Sequence, residues 1–518
     1  MPDHDFFNAR SCRTTNFRFG PYTIDTEQLE LAREGTVIPL QPQAFSLLVF
    51  LIEKAERVVT KDEIIEGVWQ GRIVGDGTLN ARINALRRAL GDDGATQSMI
   101  KTFPRQGFRF VAELSKAPLA SEAAPSPAGA KASIAVLPFV NISADQEQLY
   151  FADGLTEDLI TDLSKNRDLF VIARNSSFAY RNSPKNVTEI GSELSVEHVL
   201  EGSVRKAANR IRINAQLIDA KTGGHVWAER YDSDVRDIFD LQDEITGKIS
   251  AALQVNLTKN AIADHRTYSV EAYELSLKGR AKFFMFSPET NRECISLFDQ
   301  ALAIDPEYSD AWAGQVFPYQ SGWSFAWPGY DDGLGIAAEK ARRAVELAPN
   351  SSMAQSRMGW VQTFLRQPKA SIESFERAIA IDPNNADTLI WFSEALNYAG
   401  QPERAVKAGK TALRFDPVAP PNALHHIAHG YFLSGDLDNA EKFERRAIRM
   451  APSFPPARLV MSAILVAAGR LGEAKEQMAD LLAIDSNYNF GRYEERYPYH
   501  DPKHRARMAA AVKAAGLS

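Results

Sequence analysis

Between Arg82 and Arg109 stand six basic residues, Arg82, Arg87, Arg88, Lys101, Arg105 and Arg109, against two acidic ones, Asp92 and Asp93. Cations at that density can neutralise backbone phosphates, and side chains projecting from a helix can read base edges, Arg at guanine and Asn at adenine. The chemistry implied is nucleic-acid binding through a local patch. The chain of 518 residues carries a net charge of −7 overall and so lacks the general basicity of a non-specific DNA binder. A helix must position the patch. Leu79, Ile83, Leu86 and Leu90 recur at the i, i+4, i+7, i+11 spacing that lines one helical face. The opposite face then carries Thr78, Ala81, Asn84, Ala85 and Arg88, with Arg82 at its edge. Arg87 falls about 70° from the centre of the buried face, which suits an intradomain ion pair or a phosphate contact better than base reading.

The flanking segments supply the scaffold. Thr60 followed by Glu63 is a capping box that opens a short helix over 61–68, ending in Trp69 and a turn at Gly71. Phe45, Leu47, Leu48, Leu51 and Ile52 mark an amphipathic helix just after Pro42. Gly91 ends the basic helix, and residues 100–111 predict two short strands around Arg105, Gln106 and Gly107, a wing; residues 17–39 alternate like a small antiparallel sheet.

The stretch LQPQAFSLLVFLIEKAERVVTKDEIIEGVWQGRIVGDGTLNARINALRRALGD…IKTFPRQGFRF resembles the OmpR-type DNA-binding domain, in the CadC and ToxR branch. The resemblance rests on the turn, the Trp after the support helix, the Leu-Arg-Arg step and the Gly-Phe-Arg-Phe wing. It implies double-stranded DNA as partner, with Thr78, Asn84, Arg87 and Arg88 of the recognition helix and Arg105 and Arg109 of the wing in DNA-contacting regions. Arg82, at the helix edge, completes the candidate set. Where some members carry a minor-groove Arg this chain has Pro104, so that role passes to Arg105. The resemblance also implies tandem binding to direct repeats, with a homodimer on DNA.

The two cysteines, Cys12 and Cys294, lie far apart with no CxxC or Cys/His cluster, so neither a disulfide framework nor a zinc site is expected. No export signal is read at the amino terminus, and no window approaches the roughly 18 apolar residues of a membrane span. The expectation is a cytoplasmic protein with no membrane partner, unlike CadC and ToxR. With no room for a receiver domain before Phe17, control by aspartyl phosphate on this chain is not expected.

An Ala/Pro/Ser-rich linker is expected over 114–133, after a tail at 1–16 and the winged helix at 17–113. Residues 134–260 read as one α/β domain: strands over 134–138 and 169–173, helices over 151–163 and 187–194, three strands near 199–204, 210–219 and 225–231, and a closing helix over 238–253. The segments AVLPF, FADGLTEDLITDLS and EGSVRKAANRIRINAQLIDAKTGGHVWAERYD resemble the TolB amino-terminal-like domain, which also occurs beside class III adenylate cyclase domains. That resemblance implies a fold and says little of chemistry. Asp153, Glu157, Asp158 and Asp162 have the spacing of a solvated acidic helix face, and no second carboxylate motif answers them as a metal site would require. His198 and His225 stand alone in strand-like surroundings. Thr222-Gly223-Gly224 precedes a strand and offers no helix amino terminus to a phosphate. No catalytic residues, metal or cofactor are expected.

The carboxyl half is a repeat array. Asp305-Pro306, Ala348-Pro349, Asp382-Pro383, Asp416-Pro417, Ala451-Pro452 and Asp485-Ser486 are spaced by 43, 34, 34, 35 and 34 residues. A period of about 34 is that of the tetratricopeptide repeat, two antiparallel helices per unit. Ala301, Ala344, Ala378, Ala412 and Ala447 each stand five residues before the Pro, where a small side chain lets helices approach. The long first interval implies an insertion in 321–335, whose Trp323, Phe325, Trp327 and Tyr330 either anchor a protein or peptide partner or fill the gap that the longer loop creates. Trp312, Trp360 and Trp391 read as solenoid core. The fold class is therefore multi-domain: an α+β winged helix-turn-helix, an α/β TolB-like domain, and an all-α tetratricopeptide solenoid over 268–518. The function expected is transcriptional regulation, with a carboxyl-terminal half that senses a ligand or binds a protein. The competing readings are an adaptor whose winged helix binds protein and a nucleotide cyclase, for which the paired metal-binding aspartates of a catalytic domain are missing.

Overall fold

The computed structural model describes residues 17–25, 30–33, 36–38, 40, 42–55, 57–69, 76–92, 97–103, 106–112, 115–116, 132–143, 145, 148–207, 209–255, 267, 269–283, 285 and 287–517. The chain forms two compact units, residues 12–123 and the remainder.

In the first unit, strands β1 (Phe17–Phe19), β2 (Tyr22–Asp25), β3 (Glu30–Arg33) and β4 (Thr36–Ile38) form an antiparallel meander. Helices α1 (Pro42–Glu53), α2 (Lys61–Trp69) and α3 (Asp76–Ala89) follow, then the hairpin β5 (Ile100–Phe103) and β6 (Gly107–Phe110). A last strand, β7 (Ser115–Lys116), pairs with β1, so the domain continues into the segment expected to open the linker. Leu79, Ile83, Leu86 and Leu90 are all buried, with Phe45, Leu48, Ile64 and Phe110 in the same core. That is the face the 3.6-residue period assigned to them.

The second unit contains the α/β layer and the repeats together. Strands β8 (Ala132–Val136), β9 (Val140–Asn141), β10 (Leu169–Val171), β11 (His198–Ala207), β12 (Arg210–Asp219) and β13 (His225–Asp234) make a mixed sheet of order β10-β8-β11-β12-β13, with β9 beside β11. Its helices are α4 (Leu149–Ser164), α5 (Arg174–Phe178), α6 (Val187–Leu194) and α7 (Ile238–Ala252). Every residue of β8 is buried, because the sheet is covered on both faces. Ile134 and Val136 pack in one core with α4, α7, and Tyr273 and Leu277 of α8 (Val270–Phe283). Ala135 and Phe170 pack in another with Leu389, Phe415 and Leu424 of the repeats.

The array runs from α8 and α9 (Pro288–Ile304) to the helix Pro502–Ala514, pairing Ser352–Phe364 with Pro368–Ile381, Ala386–Tyr398 with Pro402–Phe415, and so on. Ala301, Ala344, Ala378, Ala412 and Ala447 are all fully buried. The turns between repeats dock on the α/β layer. Asn384 Nδ2 donates to the carbonyls of Ser164, Asn166 and Leu169 at 2.8, 3.0 and 2.8 Å. Ser164 Oγ donates to Asp382 at 2.9 Å, and Ser176 Oγ donates to Asp416. The Ala173 amide donates to the Phe415 carbonyl at 2.8 Å, and the Phe170 and Phe415 rings stack at 5.1 Å.

One expectation changes here, and one choice left open is narrowed. The acidic face of α4 is not a solvated one: Asp153 pairs with Arg181, Glu157 with Arg174 and Arg280, Asp158 with Arg280, and Asp162 with Lys165. Tyr273 Oη also donates to Asp158. The aromatic insertion is not a free anchor as a whole. Trp323 and Tyr330 are 8% and 6% exposed. Asn291 Nδ2 donates to Tyr330 Oη at 2.8 Å, and Trp323 lies under the Arg496 guanidinium. Gly322 fits against the Tyr330 ring, where a Cβ would meet it at 2.3 Å. Phe325 and Trp327 remain half-buried, their rings stacked at 5.9 Å.

Asn384 caps three carbonyls at a buried position, so Asn384→Ala should cost the second unit about 2 kcal/mol. The expected signature is a lower midpoint for that unit in urea, with the winged helix unfolding as before.

Candidate nucleic-acid interface

The recognition helix is held by three local devices. At its approach, Thr60 and Glu63 form the capping box, Thr60 N donating to Glu63 at 2.9 Å and Glu63 N to Thr60 Oγ1 at 3.2 Å. Arg57 pairs with Glu63 at 2.7 Å. Its hydrogen bond, with those from Thr60, brings the Glu63 pKa down to about 2. At the far end, Asp92 accepts from Ser98 N at 2.7 Å, Ser98 Oγ at 3.0 Å, Met99 N at 3.2 Å and Ile100 N at 3.0 Å. One carboxylate therefore ties the end of α3 to the base of the wing. Between wing and scaffold, the Val59 and Phe108 backbones exchange hydrogen bonds of 2.8 and 2.9 Å. Only glycine fits at Gly107, whose φ is +144° and where a Cβ would lie 1.9 Å from the Val59 carbonyl oxygen.

This scaffold sorts the basic residues. Arg87 is 8% exposed. Its Nη2 donates to the Ile100 carbonyl and to Thr102 Oγ1, both at 2.8 Å, so the guanidinium is committed to the wing strand. Arg109 Nε donates to the Ala55 carbonyl at 2.9 Å, joining the wing to the end of α1. Both guanidiniums satisfy backbone carbonyls of their own domain; for Arg87 this is an intradomain contact, as its helical angle suited, made to a carbonyl and not to a carboxylate. Asn84 and Arg88 are exposed on α3, with Ala81 beside them, and Arg82 is half-buried at the edge. The Thr78 side chain and Arg105 lie outside the described residues. Lys101 is exposed on β5 and Gln106 is exposed at the wing turn. Lys101 was counted as charge but not singled out as a contact, although strand alternation with buried Ile100 is the signal that marks it.

The family described as "Transcriptional regulatory protein, C terminal" matches residues 35–110. The first domain is an OmpR-type winged helix. Residues 130–248 match the "HilA/YgeH-like transcriptional regulator, second domain", and residues 354–385 match the tetratricopeptide repeat. The chain is 49% identical over 220 residues to "Putative adenylate cyclase 3" of Rhizobium meliloti, 40% of this chain and 37% of that protein, so it spans little more than a third of that relative's length. It is 22% identical over 439 residues to "Transcriptional regulator HilA" of Salmonella typhi, 84% of this chain and 76% of that one. The DNA-binding domain of E. coli CadC matches at 26% identity, covering 20% of this chain and 97% of that structure, with a TM-score of 0.19. Among the described residues no helix is long and apolar enough to cross a membrane, and no group of His, Cys, Asp or Glu is arranged to hold a metal ion.

Burial raises the Asp92 pKa, but the hydrogen bonds from Ile100, Ser98 and Met99 outweigh it and leave the carboxyl below its ordinary value. A depressed folded pKa means that Asp92 contributes its full stability above the unfolded value, near 4, and loses it as pH falls through the folded value. Asp92→Asn should therefore flatten the acid limb of the winged helix's stability profile, read by hydrogen exchange at Ser98, Met99 and Ile100. An unchanged profile would remove the carboxylate from this role.

Proposed function

We propose that this chain is a transcriptional regulator that reads double-stranded DNA through the exposed face of α3 and the wing, under control of its carboxyl-terminal unit. The observation that carries this reading is the sorting of the arginines. Arg87 and Arg109 build the domain, while Asn84 and Arg88 stay exposed on a helix whose other face is core. Arg88 and Asn84 then take base edges, with Thr78 and Arg82 flanking them. Lys101 and Arg105 take phosphates from the wing. The patch is small, so one copy binds modestly and two copies held together gain avidity. A homodimer on direct repeats, assembled or dissolved by what the second unit binds, would set promoter occupancy.

Selection from random duplex DNA by the full chain is the test. The expected result is a defined motif whose affinity falls as salt rises and is reduced about tenfold or more by Arg88→Ala, one lost bidentate base contact. Arg87→Ala should instead lower the stability of the winged helix by about 2 kcal/mol, because its loss leaves the Ile100 carbonyl unsatisfied. No enrichment from the full chain would overturn the reading.

A second reading, nucleotide cyclisation, is favoured by the relative named as a putative adenylate cyclase. Incubation of the chain with ATP and magnesium or manganese decides it. Cyclic AMP formed in proportion to enzyme would make the chain a cyclase, and none is expected.

A further inference from the structure

Within the second unit, α4 and the first helices of successive repeats enclose a cavity of about 1180 Å³. One wall is aromatic. Phe317 and Trp391 have ring centroids 4.9 Å apart, Trp360 and Trp391 4.7 Å, and Trp360 and Phe364 4.9 Å. The cations around this space are paired on the α/β side: Arg174 and Arg280 with Glu157, Lys165 with Asp162. At the far end of the array Arg492 pairs with Asp485 at 2.6 Å, and Arg496, over the Trp323 ring, pairs with Glu495 at 3.5 Å while its Nε and Nη1 meet no partner among the described residues. Arg357 differs. Its guanidinium lies 3.7 Å from the Phe317 ring centroid, and it makes no ion pair and donates no hydrogen bond to any described residue. Asp387 and Asp310 attract it without pairing with it. Trp360 is 6% exposed, and its indole Nε1 has no acceptor among the described residues.

A planar cation fixed on an aromatic face, with its donors unanswered, is an arrangement that a carboxylate or phosphate completes with two parallel hydrogen bonds. Cavities of this kind, mostly apolar with a few convergent polar groups, take small organic ligands. We propose that this cavity binds a small organic anion with a flat aromatic body, the anionic group on the Arg357 guanidinium and the ring against Trp360 and Trp391. Burial of the cation costs free energy, which lowers the Arg357 pKa to about 10, and a bound anion offsets that cost. The ring gains from the aromatic wall what it leaves behind in water. The proposal goes beyond DNA reading and is tested without DNA, so its failure leaves the DNA-binding reading untouched.

The test uses the full chain and two fluorescent probes of similar shape, anionic 8-anilinonaphthalene-1-sulfonate and neutral N-phenyl-1-naphthylamine. The expected result is one equivalent of the anion bound at least about tenfold more tightly than the neutral probe. Arg357→Gln should abolish that preference while leaving the neutral probe's affinity unchanged, and Arg357→Lys should keep part of it. Equal affinities for the two probes in the unaltered chain would overturn the proposal, and this comparison needs no variant to fold. Displacement of the anionic probe by phenylacetate or by phenyl phosphate then tells a carboxylate ligand from a phosphate one. Displacement by benzyl alcohol alone, with neither anion effective, would also sink the idea.

Discussion

The docking of the inter-repeat turns onto the α/β layer is the constraint on which the second unit depends. A stack of helix pairs touches only its neighbours, and its stability is a sum of local terms. Here Asn384, Asp382 and Asp416 reach out of the stack and satisfy the end of α4, the start of β10 and Ser176 of α5. Those groups are buried, and a buried carbonyl or hydroxyl left alone is costly. Neither part can therefore leave the other without breaking these hydrogen bonds and exposing Phe170 and Phe415 to water. The second apolar face of the sheet, formed by Ala135 and Phe170 among others, is closed by repeat residues, so the layer needs the array as a covering.

The winged helix solves a different problem with the same residue type. Arginine serves it as a long donor that reaches carbonyls from a distance, in Arg87 and Arg109, and as an exposed cation, in Arg88. The separation follows from helical angle and strand parity rather than from local composition. Adjacent Arg87 and Arg88 differ by about 100° around the helix, enough to put one under the wing and the other in solvent.

How far this was legible in the sequence depended on the range of the interaction. Helix periodicity, the capping box and the Asp-Pro punctuation are local, and α3, the Thr60 to Glu63 bond and the buried alanines of the repeats follow from them. The fate of Arg87 was half legible, since its angle pointed towards the core while the carbonyl it meets belongs to a strand thirteen residues on. The acid run of α4 was misread because its partners, Arg174, Arg181 and Arg280, come from other elements. Trp323 and Tyr330 were ambiguous for the same reason: Arg496 and Asn291, which fix them, lie in other helices of the array. The strand β7 escaped notice because two residues carry no period.

The repeats also separate packing from chemistry. Close approach of the helices rests on small residues, the fully buried Ala301, Ala344, Ala378, Ala412 and Ala447, with Phe298 and Phe375 filling the spaces beside Gly314 and Gly359. That packing asks nothing of positions such as Arg357 and Asp387, or of the buried His425 and Glu444, which are joined at 2.9 Å. Apolar side chains there would stack equally well and avoid the desolvation that drives the His425 pKa down to about 4. Arg357, Asp387 and His425 are charged or titratable groups kept at a cost in stability on helices that line one cavity, a placement that packing does not require and that the proposed ligand site would use.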